Sequence, residues 1–304
     1  MTGTPDHDRG PRGLAAVWWR ALRPFSFTAS VTPVLVGSSA ALHDRQFHPA
    51  LFLVTLVASV AIQAATNLAN EYYDHIRGVD DVDSIGPSGV IQHGMLAPRT
   101  VLGGSMVLFA AGSALGLWLV SVAGWPILAV GVLSVLAGYA YTGGPLPLGY
   151  VGLGDLVVFV FMGPAIVLGA YYVQTLEVTS GPVWASLPVA ALVTAILVVN
   201  NLRDIDGDRR KGKRTIATFV GPRGTRLEYA LLVALAYGSV AVGVALRSLP
   251  PLALVVFLTV PQATMLWRRI RDDSDRRSLT HDLRDTAGLH QRVGLLLAAS
   301  FLLS

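Results

Sequence analysis

The stretch NNLRDIDGDRRKGKRT, Asn200 to Thr215, sets three aspartates against six cations directly after a long apolar run. A second acidic stretch, NLANEYYDHIRGVDDVD, Asn67 to Asp83, ends an earlier apolar run in the same manner. Gln63, Asn67, Asn70 and Asp74 are separated by four, three and four residues, which places them on one face of a helix. Asn200, Asp204 and Asp208 are each four apart and share a face likewise. Polar groups at the end of an apolar helix are expensive unless partnered. The two stripes are therefore expected to face each other.

The rest of the chain says what these stripes end. Only 14% of the 304 residues are charged and 53% are hydrophobic, where a soluble domain carries about 25% charged residues. Mean hydropathy is +0.56. Apolar windows long enough for a bilayer, roughly 17 to 25 residues, recur throughout. They predict nine transmembrane helices near 25–43, 49–74, 100–121, 125–141, 151–173, 183–206, 228–246, 250–268 and 287–303. Continuous apolar runs without alternation favour helices over barrel strands. The expected fold is an all-α polytopic bundle forming a single domain, 1–304. It has a polar amino-terminal segment at 1–23 and active-site loops at 75–99 and 207–227.

There is no cysteine, which excludes disulfides and thiolate metal sites. With the amino terminus in the cytoplasm, every Lys and Arg except Arg45 and Arg247 falls on the inner side. That is the positive-inside pattern, so the sequence pI near 9.6 reports topology and anionic membrane lipid, not nucleic acid. Both acidic stretches then lie on the cytoplasmic face of the cell membrane. The sequence sets no oligomeric state.

Two facing carboxylate stripes repel unless a divalent cation lies between them. A shell of carboxylate and amide oxygens with open positions suits Mg²⁺, which also takes substrate phosphate oxygens. Arg209, Lys213 and Arg214 follow Asp204 closely enough to neutralise a polyphosphate. One of Asp80, Asp81 and Asp83 is expected to be a ligand, the others solvated. Asn201 reads as interhelical hydrogen-bond glue, and Tyr139 and Tyr141 as interface anchors or site-lining groups. His43, His48 and His93 lack metal-ligand spacing. The region from Arg268 to Arg284 reads as a solvated connection. Asn70-x3-Asp74 is echoed by Asn200-x3-Asp204 four helices later, which suggests two repeated halves around a central cavity.

These residues resemble the UbiA superfamily of intramembrane aromatic prenyltransferases, and most closely its 1,4-dihydroxy-2-naphthoate polyprenyltransferase branch. TNLANEYYDHIRGVD and NNLRDIDGDRRKGKRTIA resemble the two Asp-rich motifs. GPSGVIQHGMLAP, YTGGPLPLGYVGLGD, LRDTAGLHQRVGLLLA and RPFSFTASVTPVLVG resemble flanking segments, so the likeness covers nearly the whole chain. It implies a nine-helix fold binding Mg²⁺, a polyprenyl diphosphate and an aromatic acid. Asn70, Asp74, Asp204 and Asp208 become metal and diphosphate groups, with Asn67 and Lys213 in support. The usual first motif has Asp where Glu71 stands and a final Asp where Gly78 stands; Asp80 or Asp81 takes the latter's place, Asp80 being the expected ligand.

The expected chemistry is ionisation of an allylic diphosphate, with Asp74, Asp204, Asp208 and Lys213 in the catalytic set. Gln63, Asn67, Asn70, Asn200, Arg209 and Tyr139 are expected to bind substrate. Other aromatic acceptors remain open: 4-hydroxybenzoate, homogentisate or haem. A membrane transporter with a carboxylate cation site is the non-enzymatic alternative, although its polar groups belong at the midplane in broken helices, whereas these sit at helix ends.

Overall fold

The computed structural model describes residues 13–79, 88–272 and 275–304. Eleven α-helices account for most of them: α1 (Leu14–Leu22), α2 (Thr28–His43), α3 (Pro49–Ile76), α4 (Pro98–Ala123), α5 (Trp125–Ala140), α6 (Gly154–Val160), α7 (Ile166–Thr175), α8 (Ser180–Arg210), α9 (Ile216–Ala245), α10 (Val260–Asp272) and α11 (Arg276–Leu302). Among the described residues there is no strand, only an isolated bridge between Val151 and Arg214.

Seven helical segments of the described residues are long and apolar enough to cross a bilayer. Two are composite. A π-turn over Phe161–Ala165 joins α6 to α7 and absorbs Pro164, whose missing amide would otherwise break the helix. A 3₁₀ segment, Pro251–Thr259, leads into α10. The apolar helix α5 is shorter, at 16 residues.

The bundle packs around α8. Its Ala185, Val189, Ala191 and Leu192 share one core with Val36 and Ala40 of α2, Val167 and Tyr171 of α7, Val240 of α9, and Leu289, Val293 and Leu297 of α11. Small residues set the approach, as is usual where lipid supplies no hydrophobic drive between helices. A Cβ on Gly163 would lie 2.3 Å from the Ala190 Cβ, so any larger residue there pushes the π-turn off α8.

Three expectations need correction. The amino-terminal segment is not merely polar, because α1 forms there with Trp18 packed in a cluster with Leu68, Val90 and Val101. Its apolar face is too short to register as a span. The 207–227 region is largely helical: α8 continues to Arg210 and α9 begins at Ile216, capped by Thr215. Arg and Lys are good helix formers and carry α8 past its aspartates once it leaves lipid. The break comes at Gly221, whose φ of 72° before Pro222 kinks α9. Finally, α11 starts at Arg276, some turns before the expected 287.

Candidate active site

The ladder on α3 is held from outside by its neighbours. Gln63 donates to the Asn67 side-chain oxygen at 3.4 Å. Asn67 in turn donates to the Leu22 carbonyl and the Ser26 hydroxyl, both at 2.8 Å, fixing the turn between α1 and α2 against α3. Thr142 donates to Asn70 Oδ1 at 2.7 Å, and the Tyr150 hydroxyl donates to Asp74 Oδ1. Asn67, Asn70 and Asp74 are each thereby oriented by an element distant in sequence.

The ladder on α8 is organised by Arg203, a buried side chain. Its guanidinium donates to Asn200 Oδ1 at 2.9 Å and to both Asp204 oxygens, at 3.0 and 2.5 Å. Arg276 of α11 donates to Asp204 Oδ1 as well, at 2.9 Å. One turn on, the Lys213 ammonium lies 3.6 Å from Asp208 Oδ1 and 5.3 Å from the Tyr150 ring centroid. The amide of Arg214 donates to the Tyr150 carbonyl at 3.1 Å, which ties the 211–215 segment to the loop following α5.

Both ladders and Lys213 line a single cavity of about 560 Å³. The convergence of the α3 and α8 stripes expected from their spacing is thus met by the geometry. Three expected site residues, Arg209, Arg214 and Tyr139, do not line it. Arg209 is exposed and reaches back to the Thr218 carbonyl at 3.3 Å, because its place on α8 points it toward the start of α9. Tyr139 pairs with the Tyr73 hydroxyl and packs beside Phe109, away from the cavity. Asp80, Asp81 and Asp83 lie outside the described residues.

Glu71 is fully buried on another face of α3, where its carboxylate accepts from Arg23 and Ser88, each at 2.6 Å. It does not line the cavity. Its longer stem crosses to the turn after α1 instead of continuing the Asn70–Asp74 stripe.

Sequence reasoning missed Tyr150, Thr142, Arg203 and Arg276. All four act across helices except Arg203, whose position beside Asp204 within the motif was the one local signal. Tyr141 borders the cavity too.

A divalent cation fits this donor set. The donors are hard oxygens, the class Mg²⁺ takes, and Asp208 Oδ2 is buried without a hydrogen-bond partner, an arrangement that a cation relieves. Among the described residues no three His, Cys, Asp or Glu groups gather closely enough to hold an ion alone. Mg²⁺ characteristically takes one or two carboxylates and completes its shell with water and substrate phosphate, so a split donor set suits a substrate-bridged ion.

Below the polar cavity lies an apolar one of about 380 Å³ between α3, α4, α5 and the α6–α7 segment. Gln63, Thr66, Tyr141, Val158 and Met162 border both, so the two adjoin.

A family model described as the UbiA prenyltransferase family matches residues 30–281. A 1,4-dihydroxy-2-naphthoate octaprenyltransferase of Mycobacterium tuberculosis is 37% identical over 289 residues, covering 94% of this chain and 97% of that protein. One of the same name from Bacillus subtilis is 34% identical over 292 residues, covering 96% and 94%. A solved UbiA homolog from Archaeoglobus fulgidus, bound to GPP and Mg²⁺, matches with a TM-score of 0.65 at 15% identity, covering 93% of this chain and 99% of that one. At that identity the likeness is one of fold.

Proposed function

As this chain belongs to the UbiA prenyltransferase family, a family of multi-pass membrane proteins, we propose that it transfers a polyprenyl group from an allylic diphosphate to 1,4-dihydroxy-2-naphthoate. The product is demethylmenaquinol, on the route to menaquinone. The observation that carries this reading is the polar cavity, with a carboxylate ladder on each wall, adjoining an apolar cavity. A diphosphate head fits the first and an isoprenoid tail the second.

Asn70, Asp74, Asp204 and Asp208 would hold Mg²⁺, with Asn67 and Asn200 lining the same cavity one turn earlier on each helix. Bound Mg²⁺ would supply the positive charge that stabilises the departing diphosphate. Lys213, poised between Asp208 and the Tyr150 face, adds a cation to the same leaving group. Tyr150 orients Asp74, and Arg203 orients Asp204 and Asn200. The allylic C–O bond breaks, its electrons leaving with the diphosphate. The ring carbon bearing the carboxylate then forms the new C–C bond, and CO₂ departs leaving its electron pair to restore aromaticity. No proton needs to move in that step, so the site needs charge stabilisation more than a general base. The aliphatic walls next to Tyr141 keep water from the carbocation.

On this reading the amino terminus and both ladders lie on the cytoplasmic side of a nine-crossing bundle of two related halves. The confinement of basic residues to one side supports it. The test is to incubate membranes holding the protein with labelled geranyl or farnesyl diphosphate, Mg²⁺ and a panel of acceptors: the naphthoate, 4-hydroxybenzoate, homogentisate and haem. Prenylated naphthoquinol that is lost on adding EDTA and restored by excess Mg²⁺ is the expected product. Labelling of another acceptor alone would refute the naphthoate assignment.

A further inference from the structure

We propose that Arg276 is a diphosphate-binding side chain held in reserve on Asp204: it caps that carboxylate in this conformation and moves to a substrate phosphate oxygen when a divalent cation takes Asp204. The inference rests on the diphosphate reading above and adds a residue that none of the sequence motifs contains.

Asp204 receives more positive charge than its partners on the ladder. Arg203 grips both of its oxygens and Arg276 adds a third contact on Oδ1, at 2.9 Å. A carboxylate offers about four lone-pair sites, so three guanidinium hydrogen bonds leave little room for a cation. One arginine has to yield before Asp204 can serve as a ligand.

The two arginines are not equally able to do so. Arg203 is buried, adjoins Asp204 on the same helix, and is also committed to Asn200. Arg276 comes from the first turn of a different helix, its side chain is 45% exposed, and a single contact joins it to Asp204. Its backbone stays put, because Asp275 caps α11 by accepting from the amides of Arg277 and Ser278, both at 3.1 Å. A long side chain on a fixed helix start can swing without moving the bundle.

The destination is close. Arg276 lines the same cavity as Asp74, Asp208 and Lys213, and a planar guanidinium pairs with a phosphate as readily as with a carboxylate. Of the other basic side chains on this cavity, Arg23 is engaged with Glu71 and Lys211 with the Val79 carbonyl, whereas Arg210 is exposed. Exchange of Arg276 from Asp204 to phosphate keeps the Arg276 guanidinium paired before and after binding.

The exchange makes two affinities move in opposite directions when Arg276 is removed. Purified wild type, Arg276→Ala and Arg276→Lys are titrated with Mn²⁺ alone, followed by electron paramagnetic resonance, and with pyrophosphate in saturating Mg²⁺, followed by calorimetry. In Arg276→Ala, Mn²⁺ alone is expected to bind severalfold more tightly and pyrophosphate about tenfold or more weakly, the scale of one charge-assisted hydrogen bond. Arg276→Lys is expected to recover part of the pyrophosphate affinity. Should the alanine variant fail to purify, Arg276→Gln replaces it with the same expectation. Unchanged pyrophosphate binding, or a fall in both affinities together, overturns the proposal. Absence of Mg²⁺-dependent pyrophosphate binding in the wild type would instead overturn the underlying diphosphate reading, and this proposal with it.

Discussion

At the scale of single residues, the site is a set of acids that are each pre-oriented by a partner from elsewhere. Spacing alone exposed the acids, because residues three and four apart on an apolar helix leave a visible polar stripe. It could not expose Tyr150, Thr142 or Arg276, which reach Asp74, Asn70 and Asp204 across 76, 72 and 72 residues. Nothing periodic marks such contacts. Their effects are measurable. Asp74→Asn and Asp204→Asn are each expected to lower kcat about 100-fold or more, the scale set by loss of one pre-organised charge-stabilising group, while the protein still inserts and purifies. Tyr150→Phe keeps the ring beneath Lys213 but removes the hydrogen bond to Asp74. A hydrogen bond to a charged group is worth about 1.5–3 kcal/mol, so kcat/KM is expected to fall roughly 10- to 100-fold, with a higher Mg²⁺ requirement. An unchanged Mg²⁺ titration would place Tyr150 outside the metal's surroundings.

At the scale of elements, the seven apolar segments long enough to cross a bilayer were legible because lipid imposes one length and one pattern on each. The segments that were misread border water. There α1 is held by contacts with α3 and with the loop before α4, and α8 continues past Asp208 only to Arg210. Glu71 belongs to this scale rather than to catalysis. Its carboxylate holds Arg23, which adopts a left-handed φ of 55°, and Ser88, whose carbonyl receives Arg20 at 2.6 Å. One buried acid thus joins α1, α3 and the loop before α4. Breaking a buried pair by removing one partner costs about 3–5 kcal/mol. Glu71→Ala is therefore expected to lower the Tm of the solubilised protein markedly, and to do so far more than Asp74→Asn. Pyrophosphate binding by the surviving folded fraction is expected to stay close to wild type. A stable Glu71→Ala protein that has lost Mg²⁺ binding would instead return Glu71 to the ligand set.

At the scale of the whole molecule, the design is a polar cavity adjoining an apolar one, with Gln63, Thr66, Tyr141, Val158 and Met162 at the junction. Composition and the two motifs made the polar part legible. The apolar cavity was not, since its walls are Ala, Val, Leu, Ile and Gly indistinguishable in sequence from lipid-facing or packed positions. Gly131 of α5 lines it and has open space where a Cβ would stand. Gly131→Phe is expected to reduce turnover of long polyprenyl diphosphates about tenfold, in line with overpacking of roughly 1–3 kcal/mol, while geranyl diphosphate is used nearly as before. Equal losses for short and long donors would show that the tail runs elsewhere.

The central claim is that α3 and α8 form one divalent-cation and diphosphate site. Anomalous scattering from crystals grown with Mn²⁺ and pyrophosphate tests it most directly. The account predicts Mn²⁺ between Asp74 on one side and Asp204 and Asp208 on the other, with pyrophosphate oxygens completing the coordination. Manganese bound to only one ladder, or confined to Glu71 or another acid away from the cavity, would contradict it.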